Sequence, residues 1–306
     1  MATHVGRLPA RRSLRDVLEG KGFPYLMVVP TILVLSIVGV IPFVYTVFIS
    51  FQETSFTRTV GFNGVENFTS LVSDPLFWKA LGVTSLILVV AVPVQLLLGL
   101  GIALVMHRGI LGSRFIAPVL LLPAVVAPTV VAIIWKIMLA GTWGFLTYQV
   151  VDRFSLLERG SVLGLPRSAL VSILLIEIWQ WTPFVALALF AGLQALPLSP
   201  YRAAAVDGAS RWQIFRYLTL PMLLPLLAVL LLLRTLDSFR IFDTIFILTG
   251  GGPGTSTQVV SIYLYKSVFQ FWELGRAAAG AVLIWVMFFI FASILYRIFS
   301  KRLKLF

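Results

Sequence analysis

The stretch SPYRAAAVDGASRWQIFRYLTLPMLLP, residues 199–225, is a polar segment that separates two long apolar runs. Its first residue, Ser199, is a candidate N-cap and a proline follows it, so a short helix is predicted over Pro200–Asp207. Gly208 should end that helix, because glycine readily adopts the backbone conformation of a C-terminal cap. Ser210, with a glutamine three residues later, has the spacing of a capping box that starts a second helix. The stretch therefore predicts two short helices joined by a glycine turn.

Residues 199–217 resemble the EAA loop of the permease subunits of bacterial ABC importers. The family pattern is Glu-Ala-Ala, then a glycine and a later Leu-Pro, and this chain has two alanines, a glycine and Leu-Pro at those places. Arg202 replaces the family's glutamate. The Asp-Gly-Ala and Trp-Gln pairs make the loop most similar to the sugar-importing, maltose-permease branch. The resemblance implies docking on a separate ABC ATPase through Arg202, Ala203, Ala204, Asp207, Gly208, Trp212 and Pro221.

The composition is that of an integral membrane protein. Of 306 residues, 59% are hydrophobic and 12% are charged, and the mean hydropathy is +0.99. The apolar runs exceed the ~20 residues that a helix needs to cross the hydrocarbon core, whereas a barrel strand needs only ~10 alternating residues. The predicted fold is all-α, a polytopic helical bundle in the bacterial cytoplasmic membrane.

Several kinds of site are disfavoured by residues that the sequence lacks. It contains no cysteine, and its two histidines, His4 and His107, cannot form a metal cluster alone, so no metal or redox cofactor is expected. No Gly-x-x-x-x-Gly-Lys-Ser/Thr motif occurs, so the chain should not bind ATP through a P-loop. The net charge of +12 could suggest nucleic acid. Because cytoplasmic loops of membrane proteins retain Lys and Arg, we expect contact with membrane lipid and no nucleic acid.

Six membrane spans are predicted from the apolar runs. They cover Tyr25–Phe51, Trp78–Met106, Phe115–Leu139, Ser168–Ala195, Leu218–Leu236 and Leu274–Phe299. Residues 1–24 form a basic segment, and residues 25–306 form one six-span domain. Lys and Arg are concentrated in that segment, after the second span, in the 199–217 loop and at the C-terminus. By the positive-inside rule, both termini and the 199–217 loop should be cytoplasmic.

Two further stretches resemble sugar permeases, in the family's order along the chain. GFNGVENF, residues 61–68, follows the first span, and LDSFRIFD, residues 236–243, precedes LTGGGP at residues 248–253. The resemblance implies a second permease, usually a paralogue, an ABC ATPase dimer that uses ATP and magnesium, and an extracytoplasmic solute-binding protein. On this basis the chain itself should be a non-catalytic subunit with no bound cofactor.

Polar and aromatic side chains at membrane depth are the candidates for a substrate pathway. They are costly in lipid, so they should face the bundle interior or a cavity, and tryptophan faces can stack on sugar rings. An interfacial tryptophan belt, helix–helix pairing of Glu177, and ion pairing of the two aspartates with Arg234 and Arg240 remain alternatives. The candidates are Glu177, Trp179, Gln180, Trp181, Asp237, Phe239, Phe242 and Asp243.

The sequence as a whole predicts an ATP-driven, binding-protein-dependent importer of a di- or oligosaccharide of the trehalose or maltose type. One alternative is a proton-coupled secondary transporter, which would need neither the cytoplasmic loop nor an ATPase. Another is an importer of a glycerol-phosphate diester, since permeases of the resembled family handle such solutes as well. A membrane-bound enzyme is disfavoured, because the sequence offers no cluster of carboxylates or histidines at a membrane face.

Overall fold

The computed structural model describes residues 23–55, 58–109, 113–141, 144–152 and 162–303. The predicted basic segment 1–24 lies outside these residues, apart from its last two. The described chain is a helical bundle, as predicted. Its first α-helices are α1 (Phe23–Leu35), α2 (Ile41–Ser50), α3 (Glu66–Val72), α4 (Pro75–His107), α5 (Ser113–Val125), α6 (Pro128–Met138) and α7 (Pro166–Gln194). The later ones are α8 (Leu198–Val206), α9 (Arg211–Ile214), α10 (Leu220–Phe239), α11 (Asp243–Leu248), α12 (Val260–Phe269) and α13 (Leu274–Leu303).

Within the described ranges, five helices are long and apolar enough to cross a membrane. They are Val28–Ser50, Pro75–His107, Pro166–Gln194, Arg211–Leu248 and Leu274–Ile298. A sixth span exists if the bent pair α5 and α6 is counted as one. Short π-helical segments join some helices, at Ser36–Val40 between α1 and α2, at Phe215–Thr219 between α9 and α10, and separately at Thr147–Asp152.

The predicted third span is not a single rod, because α5 and α6 meet at an angle of 93°. This span contains three prolines, Pro118, Pro123 and Pro128. Pro128 explains the break, since the residue before a proline avoids the helical conformation, and Ala127 is extended with ψ 135°. Gln180 of α7 donates its side-chain amide to the carbonyl of Val126 at 3.3 Å. A side chain from another span thus satisfies a backbone group at the break.

The centre of the bundle is formed by α4, α7 and α10, which pack against one another. Gly99 permits a close approach, because a Cβ atom there would lie 2.6 Å from the side chain of Val185. Further along, the side chain of Gln95 bonds to the backbone of Glu177, so residue numbers on α4 and α7 rise together. The two helices therefore run parallel, and the loop after α7 lies at the end of the bundle where α4 finishes.

The segment between the first two spans contains a β-hairpin that the sequence analysis did not predict. Strands β1 (Gln52–Ser55) and β2 (Arg58–Phe62) are antiparallel, with a bulge next to Glu53. Asn67 donates to the backbone oxygens of Ser50 and Gln52, each at 2.9 Å, and so holds the hairpin on the end of α2. Because α2 ends and α13 begins beside this hairpin, both ends of the described chain lie at the opposite end of the bundle.

Asp74 connects three helices at the hairpin end. It caps α4 by accepting a hydrogen bond from the backbone of Leu76 at 2.8 Å. The hydroxyl of Tyr263 on α12 donates to it at 2.7 Å, and Arg276 on α13 forms an ion pair with it. Partial burial by itself raises the pKa of Asp74, but the hydrogen bonds from Tyr263 and Leu76 and the charge of Arg276 outweigh burial. The pKa therefore lies below its ordinary value of 3.8.

Replacing Asp74 with asparagine is expected to lower the unfolding free energy at neutral pH by about 2 kcal/mol, because hydrogen bonds to a charged group are lost. Because the pKa of Asp74 is lower in the folded protein, the ionised carboxylate stabilises the fold fully at any pH above its ordinary pKa. This stabilisation is lost as the pH falls through the lower, folded-state pKa. The loss of unfolding free energy in Asp74→Asn should therefore stay constant as the pH falls from neutral to 3.8, and it should shrink below pH 3.8. Thermal unfolding of the purified protein at a series of pH values measures it. Glu66→Gln, an exposed carboxylate at the same end, is the control, and equal deficits in both variants would contradict the assignment.

Candidate functional site

A buried ion pair lies between the fourth and fifth predicted spans. Arg234 on α10 is fully buried, and its Nη2 atom lies 2.8 Å from Oε1 of Glu177 on α7. The Nε atom of Arg234 donates to Gln95 of α4 at 3.0 Å, and Nη2 also approaches the hydroxyl of Ser238 at 3.3 Å. A charge in the apolar interior is tolerated only when it is paired and hydrogen-bonded. The network supplies both conditions, and it links all three central helices.

The same guanidinium holds two groups that face a pocket. Its central carbon lies 4.4 Å from the ring centre of Trp181, a cation–π distance. Its Nη1 atom is 3.5 Å from Oδ2 of Asp237 and makes no hydrogen bond to any described residue. Arg234 therefore fixes an aromatic ring and a carboxylate from behind the pocket wall, and it keeps one buried N–H donor unused.

The pocket has a volume of about 380 Å³, within the usual range of ligand sites. Two breaks between helices border the pocket. One lies at Pro128 before α6, and the other lies at Arg240–Phe242, between α10 and α11. Arg240 is 75% exposed and lies 3.0 Å from Oδ1 of Asp237. Mixed polar and aromatic walls suit a small polar solute better than a lipid chain. The lining residues are Pro128, Glu177, Trp181, Asp237, Arg240, Ile241, Phe242, Asp243 and Thr244.

The 199–217 loop forms a hairpin of two helices at the end of the bundle opposite the β-hairpin. The predicted capping box is present: the amide of Gln213 donates to Oγ of Ser210 at 3.3 Å, and the amide of Ser210 donates to Oε1 of Gln213 at 2.7 Å. Gly208 has φ +73°, a conformation that favours glycine. A cleft of about 370 Å³ lies between the two arms. Local capping thus builds the turn that the sequence predicted.

Two details of this loop differ from the prediction. The first helix begins at Leu198 with Pro197 before it, so Ser199 is not the N-cap. Arg202 is consequently the fifth helical residue, beyond the first turn where the helix dipole opposes a cation. The second helix is not a separate short one, because α9 continues through a π-helical turn into α10. A displacement of the loop would therefore be transmitted directly to the span that carries Arg234.

The surface of the loop is polar and partly apolar. Val206 is 88% exposed and Trp212 is 64% exposed, so both side chains are available for apolar contact. Arg202, Ala203 and Asp207 are also exposed. Of the remaining coupling candidates, Ala204 is half-buried beside the cleft and Pro221 is the second residue of α10.

The family described as the binding-protein-dependent transport system inner membrane component matches residues 95–305. The chain belongs to this family. It is thus a multi-pass inner-membrane permease subunit, and the matched residues include the 199–217 loop, the ion pair and the pocket.

Individual relatives of the permease cover nearly its whole length. The trehalose/maltose transport system permease protein MalF of Thermococcus litoralis is 35% identical over 262 residues, 85% of this chain and 86% of that protein. The trehalose transport system permease protein SugA of Mycobacterium tuberculosis is 34% identical over 279 residues, 90% of this chain and 88% of that protein. A chain from a bacterial alginate ABC transporter, solved with an alginate pentasaccharide-bound periplasmic protein, has TM-score 0.77 at 22% identity. The match covers 96% of this chain and 98% of the transporter chain, and it supports the fold described above.

The permease brings five of the eight predicted pathway residues to one pocket: Glu177, Trp181, Asp237, Phe242 and Asp243. The other three lie elsewhere. Trp179 is 46% exposed in an apolar groove and contacts Trp135 edge-on at 5.5 Å. Gln180 is buried against the break at Val126, and Phe239 packs on Phe288 at 6.1 Å. Two residues along a helix correspond to a rotation of about 200°, so Trp179 and Trp181 face opposite sides of α7.

The sequence analysis also missed members of the site. Arg234 and Arg240 were interpreted only as ion-pair partners of aspartates, and Gln95 was not singled out. Arg234 does contact Asp237, as expected, but its main partner is Glu177, so helix–helix pairing of Glu177 is present as well. Ionisable or amide side chains deep in a predicted span were the available signal. By that criterion Arg234 and Gln95 had the same claim as Glu177.

Proposed function

We propose that this chain is one of two permease subunits of an ATP-driven importer, and that the importer carries a sugar through the pocket beside Trp181. One observation carries the proposal: an open pocket between the helices combines an aromatic face with carboxylates and a guanidinium. Sugar recognition uses this combination, because the C–H face of the ring stacks on an aromatic and the hydroxyls bond to charged groups. The trehalose and maltose systems named for its relatives support the same solute class.

Each lining group has a role in this proposal. Trp181 is the stacking face, and the carboxylates of Asp237 and Asp243 accept hydrogen bonds from hydroxyls. Arg240 donates at the exposed side of the pocket, and Arg234, buried behind the wall, holds Trp181 and Asp237 in place. Charge-assisted hydrogen bonds of this kind are about twice as strong as neutral ones, so a few of them suffice for a transient site.

Energy comes from another chain in this proposal. The 199–217 loop docks on an ABC ATPase dimer that binds ATP and magnesium, since this sequence has no P-loop. The exposed Val206 and Trp212 supply apolar contact area, and Arg202 favours an acidic group on the ATPase surface. Because α9 runs into α10, movement of the loop shifts the helix that carries Arg234 and Asp237. The loop end is the cytoplasmic side, where the basic residues lie.

Two further partners complete the proposed importer. A second permease, a paralogue in this proposal, closes the pathway, because the pocket is open on one side. The first span, of which only 6% is buried within the described chain, has α13 as its main contact and leaves apolar surface for lipid or that subunit. A solute-binding protein delivers the sugar at the end where the β-hairpin and α12 lie.

Transport assays in vesicles separate this proposal from its rivals. Vesicles that contain the permeases and the ATPase, with binding protein outside, are expected to accumulate trehalose or maltose only when ATP is enclosed. Dissipating the proton gradient should leave the initial rate unchanged. Uptake that persists without ATP and stops when the gradient collapses would support a secondary transporter instead. Uptake of a glycerol-phosphate diester without uptake of either disaccharide would support the other alternative.

Replacing Trp181 with alanine is expected to reduce the ratio of maximal uptake rate to KM for the sugar about tenfold, as loss of about 1.4 kcal/mol of stacking would. Trp179→Ala is the matched control, since it removes the same side chain from the opposite face of the same helix. It should stay within about twofold of the parent by the same relation. Uptake titrated with sugar, in vesicles that contain equal amounts of assembled importer, measures both. Equal losses in the two variants would contradict a specific role for Trp181.

A further inference from the structure

We infer that the pocket selects uncharged sugars and excludes anionic ones, and that Asp243 is the residue that imposes this selection. The inference rests on the proposed function, because it assumes that solute passes this pocket. It concerns the electrostatic potential inside the pocket, which can be measured without any sugar. It also distinguishes a neutral sugar from the glycerol-phosphate diester that the sequence left open.

The charged groups at the pocket form two ion pairs, each with no net charge, and one unpaired carboxylate. Glu177 is paired with the buried Arg234 at 2.8 Å. Asp237 is paired with Arg240 at 3.0 Å. Asp243 is exposed, lines the same pocket, and forms no ion pair with any residue in the described ranges. The pocket wall therefore carries one uncompensated negative charge.

The cation on the neighbouring helix forms no ion pair with Asp243 and does not line the pocket. Lys136 on α6 lies against the helix that starts at Asp243, and its ammonium donates to the carbonyl of Ile247 at 2.7 Å. The other lining residues, such as Ile241, Phe242 and Thr244, are uncharged. The surrounding protein has a low dielectric, so a single charge acts over a longer range in such a cleft than in water.

An anionic solute would meet this wall without a free cation to receive it. The exposed guanidinium, on Arg240, already binds a carboxylate, and Arg234 is buried behind the wall with its own partner. A phosphate or uronate group would have to displace Asp237 and would still face Asp243. A neutral polyol encounters no such penalty, because its hydroxyls can donate to both carboxylates. Uncharged sugars are the class that this arrangement fits.

The absence of cysteine from this chain allows the potential to be measured directly. Phe242→Cys places one thiol on the pocket wall and keeps all five charges. In the assembled importer, the thiol is reacted with cationic trimethylammonioethyl methanethiosulfonate or anionic sulfonatoethyl methanethiosulfonate. Each rate is divided by the rate with a small free thiol. The normalised ratio is expected to favour the cation by ~10-fold or more, the lower end of electrostatic focusing in a charged cleft.

A series of charge variants in the Phe242→Cys background sharpens the test. Asp243→Asn should bring the normalised ratio close to one. Adding Asp237→Asn should reverse it in favour of the anion, because Arg240 loses its partner, whereas Arg240→Gln should raise it above the parent value. Thr46→Cys, in a neighbouring cavity whose lining residues carry no charge, should not respond to Asp243→Asn. Thr244→Cys is the second probe of the pocket, in case Phe242→Cys disturbs the fold.

Protection of the thiol links the potential to solute selection. Millimolar trehalose should slow labelling of the Phe242→Cys importer, whereas trehalose 6-phosphate at equal concentration should protect only when both aspartates are replaced. A parent ratio that favours the anion, or one that Asp243→Asn does not change, overturns the inference. Resistance of both probes to both reagents also overturns it, because the pocket would then be closed to solutes. Failure of trehalose to protect, with the charge series as expected, would count against the proposed function instead.

Discussion

Replacing Arg234 with leucine is expected to destabilise the permease by about 3–5 kcal/mol, the usual cost of removing one partner of a buried ion pair. The carboxylate of Glu177 would remain in the interior without a counter-ion, and Oε1 of Gln95 would lose its donor. Since a protein's whole unfolding free energy is typically ~5–15 kcal/mol, much of the chain should fail to fold or assemble. Thermal unfolding in detergent and the yield of assembled importer measure the effect.

The double variant Glu177→Leu with Arg234→Met tests the reason for this loss. Removing both charges of a buried pair is often neutral or stabilising, so most of the stability should return. Sugar uptake should not return, because Trp181 and Asp237 would lose the guanidinium that holds them. Recovery of uptake together with stability would mean that the pair only joins helices. A single Arg234→Leu variant as stable as the parent would contradict the buried network itself.

Replacing Gly208 with leucine is expected to reduce sugar-stimulated ATP hydrolysis and uptake at least tenfold while the spans remain inserted. Gly208 has φ +73°, which costs residues with a Cβ about 1–2 kcal/mol. Within the described part of the chain a Cβ at that position would meet no atom within 4 Å. A leucine side chain there would therefore project into the space that we assign to the ATPase. Co-purification with the ATPase and the rate of hydrolysis with and without sugar measure the loss.

Asparagine at position 208 is the matched control for the backbone, because it tolerates the left-handed conformation better than other residues with a side chain. Gly208→Asn should retain more coupling than Gly208→Leu and should co-purify with the ATPase. Equal losses would indicate that the partner surface approaches the Cα atom too closely for any side chain. Normal coupling in Gly208→Leu would contradict the proposed docking through this turn.

Two features that depend on neighbouring residues, the capping box and the glycine turn, were predicted correctly, whereas the N-cap predicted at Ser199 was wrong. The capping box at Ser210 forms as expected, because its hydrogen bonds join residues three apart. The glycine turn forms for the same reason. Strands β1 and β2 were missed, since each is short and carries a charged residue. The hairpin is held by Asn67, which donates to the backbone at the end of α2 and in β1, and by the amide of Gly275, which donates to Thr54 of β1 at 2.8 Å. Support of that kind comes from residues far away in the sequence.

The sequence alone determined that this protein is a helical membrane protein with a two-helix loop at residues 199–217, because span length, apolar content and local capping are properties of contiguous residues. The permease family followed from the resemblance of its motifs, and the family match confirms it. Only the tertiary structure decided which polar residues meet. Glu177 and Arg234 are 57 positions apart, and their pairing depends on how α7 and α10 are rotated against each other. The apolar residues of α7 are distributed around all sides of the helix, so its sequence pattern does not reveal which face is buried. For that reason Trp179 and Trp181 were equivalent in the sequence, and packing alone turned Trp181 toward Arg234.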